Sequence, residues 1–174
     1  MHPESWRQIR RLLLLSYAVE PEELIQLRPA VMALDQALPA ANITLLMPEP
    51  DRAIAADLPR LNVRFLDGYS RDPVWSPATR LLIGTLQQQA FEAAIIFTGS
   101  GRSPYALAYL CYLAGIPIRV GQSSEFGGGV LSSSIAPPIE TVSPSDYHLH
   151  LLQSIGIIPE LAITSTTSLS ATIQ

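Results

Sequence analysis

The sequence predicts an α/β fold: a doubly wound, mostly parallel, Rossmann-like sheet with helices on both faces. Three observations predict it. Short unbroken apolar runs, residues 11–16 and 93–98, have strand length but lack the alternation of a half-exposed strand, as expected of strands buried on both faces of a parallel sheet. Between such runs, apolar residues recur at helical spacing. The first strand, helix, strand series closes within about forty residues, the length of a βαβ unit.

The first strand, residues 11–16, is expected at the centre of the sheet. After Pro21, the residues Leu24, Leu27, Val31, Leu34 and Leu38 keep helical spacing, and Glu22 and Glu23 stand in the first turn, where the helix dipole favours anions. Pro29 has no N–H to donate. Either the helix is kinked there, or it begins there and residues 21–28 form a turn. Residues 42–47 are the second strand, stopped by Pro48 and Pro50, and a weaker strand spans residues 61–66. A polar, aromatic-bearing loop (residues 67–77) then leads into a helix over residues 78–91.

Residues 93–98 are the clearest strand. The loop over residues 99–103 follows, Ser103-Pro104 opens a helix over residues 105–114, and Gly115 ends it in the left-handed conformation. Residues 116–120 form another strand, with Pro117 placing it at a sheet edge or at a strand start. An apolar helical stretch around Tyr147, Leu149, Leu151 and Leu152 carries His148 and His150. One domain is expected over residues 1–158. Residues 159–174, rich in Ser and Thr and without periodicity, read as a tail or a truncated interdomain linker.

Composition narrows the function classes. With 48% hydrophobic and 15% charged residues the chain is too apolar for disorder. All eleven basic residues are arginine and the net charge is −4, so no basic stripe can follow a phosphate backbone and nucleic acid is not an expected partner. The absence of lysine excludes a Walker A loop and Schiff-base chemistry. The apolar run of residues 12–15 is far too short to span a membrane, and no cleavage site follows Arg7, Arg10 and Arg11. A mature cytoplasmic chain is therefore expected. The single cysteine, Cys111, sits among helix-packing residues and is expected to be a buried thiol. Trp6, Trp75, Met32 and Met47 are expected as core or loop anchors.

Three segments could carry chemistry, and in a doubly wound sheet they should meet at the carboxyl ends of the strands: residues 16–23, 98–103 and 121–129. The run Gly99-Ser100-Gly101-Arg102-Ser103-Pro104 has proline where a dinucleotide fingerprint needs its third glycine. It is either a plain strand-to-helix turn or an anion- or hydroxyl-binding loop, in which free N–H groups converge with Ser100, Arg102 and Ser103. Residues 121–129 hold Gln122, Glu125 and three consecutive glycines, which let the backbone pass close to a ligand or a neighbouring loop; a surface loop is the plainer reading. His148 and His150 are two apart on a helix and cannot chelate one metal. No metal and no cofactor is expected.

Read together, residues 91–98, the Ser103-Pro104 turn with residues 108–117, and residues 119–131 (Arg119-Val120-Gly121-Gln122-Ser123-Ser124-Glu125-Phe126-Gly127-Gly128-Gly129-Val130-Leu131) closely resemble family 9 glycosyltransferases, the family of the ADP-heptose:lipopolysaccharide heptosyltransferases. Residues 28–39 and 43–46 add to the likeness, which extends from about Ile9 to about Ile158. The resemblance implies one half of a GT-B glycosyltransferase. The half present would be the N-terminal, acceptor-side domain, with the nucleotide-sugar donor held by a C-terminal domain missing from this chain.

By the same resemblance, the chain derives from an inverting, metal-independent enzyme that transfers a heptose or related sugar to a lipopolysaccharide or other glycan acceptor. A cytoplasmic location, with peripheral attachment to the inner membrane as a variant, is implied too. Family members carry Gly-Asp six residues ahead of the helix proline, the Asp acting as base; here Glu22 and Glu23 fill those positions, so Glu23 is the candidate general base. Ser100, Arg102, Ser103, Gln122 and Glu125 are the candidate acceptor- or anion-binding residues. Two departures stand out: Glu22 replaces the glycine, and residues 143–147 replace a His-x-Val-x-Arg pattern. A catalytically relieved module that binds a glycan or a partner subunit, with self-association through the surface that faced the missing domain, is the alternative. Architecture alone also leaves a flavodoxin-like or nucleotide-binding domain as a distant reading.

Overall fold

A computed structural model describes residues 3–16, 21–47, 61–65 and 77–159. Its elements are α1 (Pro3–Trp6), β1 (Arg11–Ser16), α2 (Pro21–Ala37), β2 (Asn42–Met47), β3 (Asn62–Phe65), α3 (Pro77–Gln89), β4 (Ala93–Phe97), α4 (Tyr105–Leu113), β5 (Ile118–Gln122), β6 (Ser133–Ile135) and α5 (Pro144–Ser154). The strands form one sheet in the order β3-β2-β1-β4-β5-β6, and every pairing is parallel. This is the doubly wound α/β fold expected from the sequence.

β1 lies at the centre, between β2 and β4, and its four leucines are fully buried. Pleating divides them between two cores. Leu12 and Leu14 pack with Trp6, Leu27, Val31, Leu34, Leu151 and Leu152 on the face covered by α2 and α5. Leu13 and Leu15 pack with Leu86, Ile96, Leu107 and Leu110 on the face covered by α3 and α4. Full burial of each such side chain contributes about 1.5–3 kcal/mol, which is why an uninterrupted leucine run specifies the middle of the sheet.

Several elements differ from expectation for local reasons. α2 runs unbroken from Pro21 to Ala37 with Pro29 inside it. Pro29 cannot donate to the carbonyl of Ile25, but both residues are exposed, so water can satisfy that carbonyl and the helix survives. Met32, expected as an anchor, lies on the exposed side of the same helix, whereas Trp6 and Met47 are buried. The strand expected over residues 116–120 spans Ile118–Gln122, with Pro117 just ahead of its start and not at a sheet edge, since β6 pairs beyond it. β6 has no counterpart in the sequence reading. Gly115 follows α4 with φ +75°, as expected. Trp75, the loop over residues 67–76 and the tail from residue 160 lie outside the described residues.

Candidate active site at the β1–β4 switch point

The strand order reverses between β1 and β4, and ligands in this architecture bind outside the carboxyl ends of the strands at that switch. Ser16 and Phe97, the last residues of β1 and β4, are register partners there. They lie in a crevice of about 170 Å³. The first turn of α2 contributes Glu23, β4 and the following loop contribute Thr98, Ser100 and Arg102, and the N-terminal part of α5 contributes Tyr147 and His148.

Glu23 and Arg102 meet in a fork, with Arg102 Nη2 3.0 Å from Oε1 and Nη1 donating to Oε2 at 3.2 Å. Both side chains are partly exposed, 31% and 40%, so water screens the pair and it contributes about 1 kcal/mol or less to stability. Its geometric consequence is larger. The candidate base and the candidate anion-binding cation, 79 positions apart in sequence, occupy one another.

The remaining predicted residues gather in an adjoining recess of about 60 Å³ lined by Ser103, Gln122 and Glu125, with Arg102 and Tyr147 shared between the two spaces. Ser103 Oγ donates to Glu125 Oε2 at 2.8 Å, the Tyr105 hydroxyl donates to the Glu125 carbonyl at 2.8 Å, and the Glu125 N–H donates to Ser123 Oγ at 3.0 Å. These bonds clip the loop over residues 123–129 onto the start of α4. Gly127 is part of the clip: a Cβ there would lie 1.7 Å from the Tyr105 ring. Gly127 therefore serves a close approach to a neighbouring element, whereas Gly128 and Gly129 supply the left-handed turn that follows, with φ +57° and +81°. Gln122, buried at the end of β5, pairs through Nε2 with His150 Nδ1 at 3.2 Å.

Arg119 anchors the same loop from below. It is 9% exposed, and its guanidinium donates to the carbonyls of Ile116, Pro117, Gly129 and Val130 while lying 5.3 Å from the Tyr112 ring centroid. Burial without a carboxylate is tolerable because carbonyl oxygens take up its donors.

Thr98, Tyr147 and His148 were not among the candidate site residues. The signal for His148 was its place three and four residues ahead of Leu151 and Leu152, on the buried face of an amphipathic helix. Its ring sits edge-on to Phe97 and Tyr147, at centroid distances of 5.4 and 6.1 Å. Burial pushes its pKa down to about 4, opposed only in part by the Glu23 carboxylate. At neutral pH the imidazole is uncharged. His150, two residues on, instead faces Gln122, so the two histidines serve different neighbours. α5 itself is opened by Ser143, whose Oγ accepts from the Asp146 N–H at 3.1 Å, as an N-cap serine does.

A wider depression of about 850 Å³ lies at the opposite end of the sheet, around Trp6, Leu38, Leu149 and Ile157. Arg7 and Gln36 are its polar lining side chains, and neither suits acid–base chemistry, so the smaller crevice is the better site. Among the described residues no group of three His, Cys, Asp or Glu could hold a metal ion, and no helix is long and apolar enough to cross a membrane.

No family model and no curated protein matches the chain by sequence. Solved structures do match its fold. The family 9 glycosyl transferase from Veillonella parvula superposes with a TM-score of 0.67 at 16% identity, over 86% of this chain and 42% of that one. ADP-heptose lps heptosyltransferase II of E. coli matches with a TM-score of 0.57 at 19% identity, over 82% and 40% of the two chains. The E. coli heptosyltransferase WaaC with ADP gives 0.60 at 13% identity, over 83% and 47%. The fold is thus that of these glycosyltransferases, and the chain spans less than half the length of each.

Proposed function

We propose that this chain is the acceptor-side domain of a family 9-type glycosyltransferase, and that the crevice between β1 and β4 receives the sugar acceptor. The observation that carries the reading is the convergence of Glu23 and Arg102 on the switch-point crevice of a fold shared with heptosyltransferases. The donor, a nucleotide sugar such as ADP-heptose, would be held by a C-terminal domain outside this chain. The acceptor would be a lipopolysaccharide or related glycan, which fits a cytoplasmic enzyme working beside the inner membrane.

In the transfer, a Glu23 oxygen takes the proton of the acceptor hydroxyl as the acceptor oxygen bonds to the anomeric carbon of the donor sugar. The bond from that carbon to the nucleoside diphosphate breaks, the diphosphate leaves with the electron pair, and the configuration inverts. Base catalysis needs contact between the carboxylate and the hydroxyl. The Arg102 fork must therefore open, leaving the guanidinium free to bind an oxygen of the acceptor.

A second reading is favoured by that same fork: a carboxylate gripped at both oxygens suits a binding module in which Glu23 only positions Arg102. Incorporation of labelled sugar from ADP-heptose into heptose-deficient lipopolysaccharide, with the donor domain supplied as a separate chain, decides between them. Transfer that falls at least a hundredfold in Glu23→Gln supports the catalytic reading. Saturable acceptor binding without transfer supports the module.

A further inference from the structure

Two polar atoms in the walls of the crevice have no hydrogen-bond partner. Thr98 Oγ1 and His148 Nδ1 are buried and unpartnered, on side chains only 5% and 6% exposed. The third such atom among the described residues, Trp6 Nε1, belongs to the opposite end of the sheet. Buried polar groups are nearly always hydrogen-bonded, and an orphan is retained where something else requires it. Two orphans on side chains that line one crevice, one just after β4 and one from α5, have a common explanation in a shared ligand.

We propose that Thr98 and His148 form a hydroxyl-binding pair that seats a single neutral sugar ring in the β1–β4 crevice. This deepens the acceptor-side reading above and rests on it. The chemistry of the pair fits a hydroxyl group. A threonine hydroxyl donates and accepts, and an uncharged imidazole, which burial enforces here at neutral pH, presents one donor and one acceptor nitrogen. Neither offers a charge, so the pair suits a sugar hydroxyl better than a phosphate or carboxylate.

The space agrees. At about 170 Å³ the crevice lies below the roughly 300–1,000 Å³ of sites that enclose drug-sized ligands, which limits the occupant to about one ring. Phe97 and Tyr147, against which the His148 ring is set edge-on, supply apolar surface beside the polar pair. Both orphan atoms are closed to solvent in this conformation. Contact with a ligand therefore requires a change of the Thr98 χ1 rotamer and a flip of the His148 ring, each of which exchanges the polar atom with a carbon of its own side chain.

The test titrates the full chain with methyl glycosides of hexoses and heptoses at millimolar concentration and follows the imidazole nitrogens by NMR. The expected result is a saturable shift of His148 Nδ1, with the His150 nitrogens unmoved. Thr98→Val and His148→Phe should each weaken glycoside binding about tenfold, the factor for one neutral hydrogen bond. Thr98→Val should melt at or above the wild-type temperature, because it removes an orphan hydroxyl without changing shape.

An unmoved His148 nitrogen in the wild type overturns the proposal whether or not the variants fold. Unchanged binding in two folded variants overturns it as well. The proposed function fails separately: sugar transfer that persists with the pair removed overturns only the pairing, whereas glycoside binding through the pair with no binding of the larger acceptor overturns only the acceptor-domain reading.

Discussion

Arg102 holds the Glu23 carboxylate by both oxygens, at 3.0 and 3.2 Å, and so joins the first turn of α2 to the loop after β4 across the mouth of the crevice. Because both partners are partly exposed, Arg102→Gln should change unfolding free energy by about 1 kcal/mol or less, seen as a nearly unchanged denaturation midpoint. If the proposed acceptor role holds, acceptor affinity should fall by a larger factor, since the guanidinium would then be the cation that meets the incoming sugar. A calorimetric titration of the variant beside its melting curve checks both halves.

His148 should make stability depend on pH in a defined window. Its folded pKa, about 4, lies below its ordinary value of 6.5, so the unfolded chain binds a proton that the folded chain excludes. The stability is fully present above about pH 6.5 and is lost as pH falls toward 4, by on the order of 3 kcal/mol. Subtracting the pH profile of His148→Phe from that of the wild type isolates this part of the acid sensitivity.

Gly127→Ala should be costly although the loop is at the surface. The new methyl would collide with the Tyr105 ring at 1.7 Å, so the ring or the loop must move and the Tyr105 bond to the Glu125 carbonyl is lost. A destabilisation of about 1–3 kcal/mol is expected. Tyr105→Ala in the same chain should restore part of it, which a double-mutant cycle measures.

Arg119→Met should free the loop over residues 123–130. Four carbonyls lose their donor at once, at a cost of about 2–4 kcal/mol. Amide exchange in residues 127–132 should accelerate while β1 remains protected. Arg119→Lys should rescue little, because one ammonium cannot reach the set of carbonyls a planar guanidinium spans.

The fold was legible wherever burial alone decides the outcome. Leu12 to Leu15 announce a central strand because a run of strand length with no polar alternation is what a doubly covered sheet position buries. β6 was not legible: two of its three residues are serine, and it is a strand because Ser132 and Ser123 bond with Arg119 and Ile135 across to β5. Pro29 left two readings open for a similar reason, since tolerance of a helix proline depends on which side of α2 meets water. At the site, the meeting of Ser16 and Glu23 with Thr98, Ser100 and Arg102 followed from topology. The pairing of Glu23 with Arg102 depends on side-chain directions that spacing does not encode, whereas the inward face of His148 follows from its spacing to Leu151 and Leu152.

The most direct test is to map a heptose-deficient lipopolysaccharide core oligosaccharide on the isotope-labelled chain by amide chemical shifts. The account predicts saturable shifts confined to Ser16, Glu23, Thr98, Gly99, Arg102 and Tyr147, the residues around the β1–β4 crevice. Shifts centred instead on Trp6, Leu38 and Leu149 at the far end of the sheet, or no saturable binding at all, would contradict it.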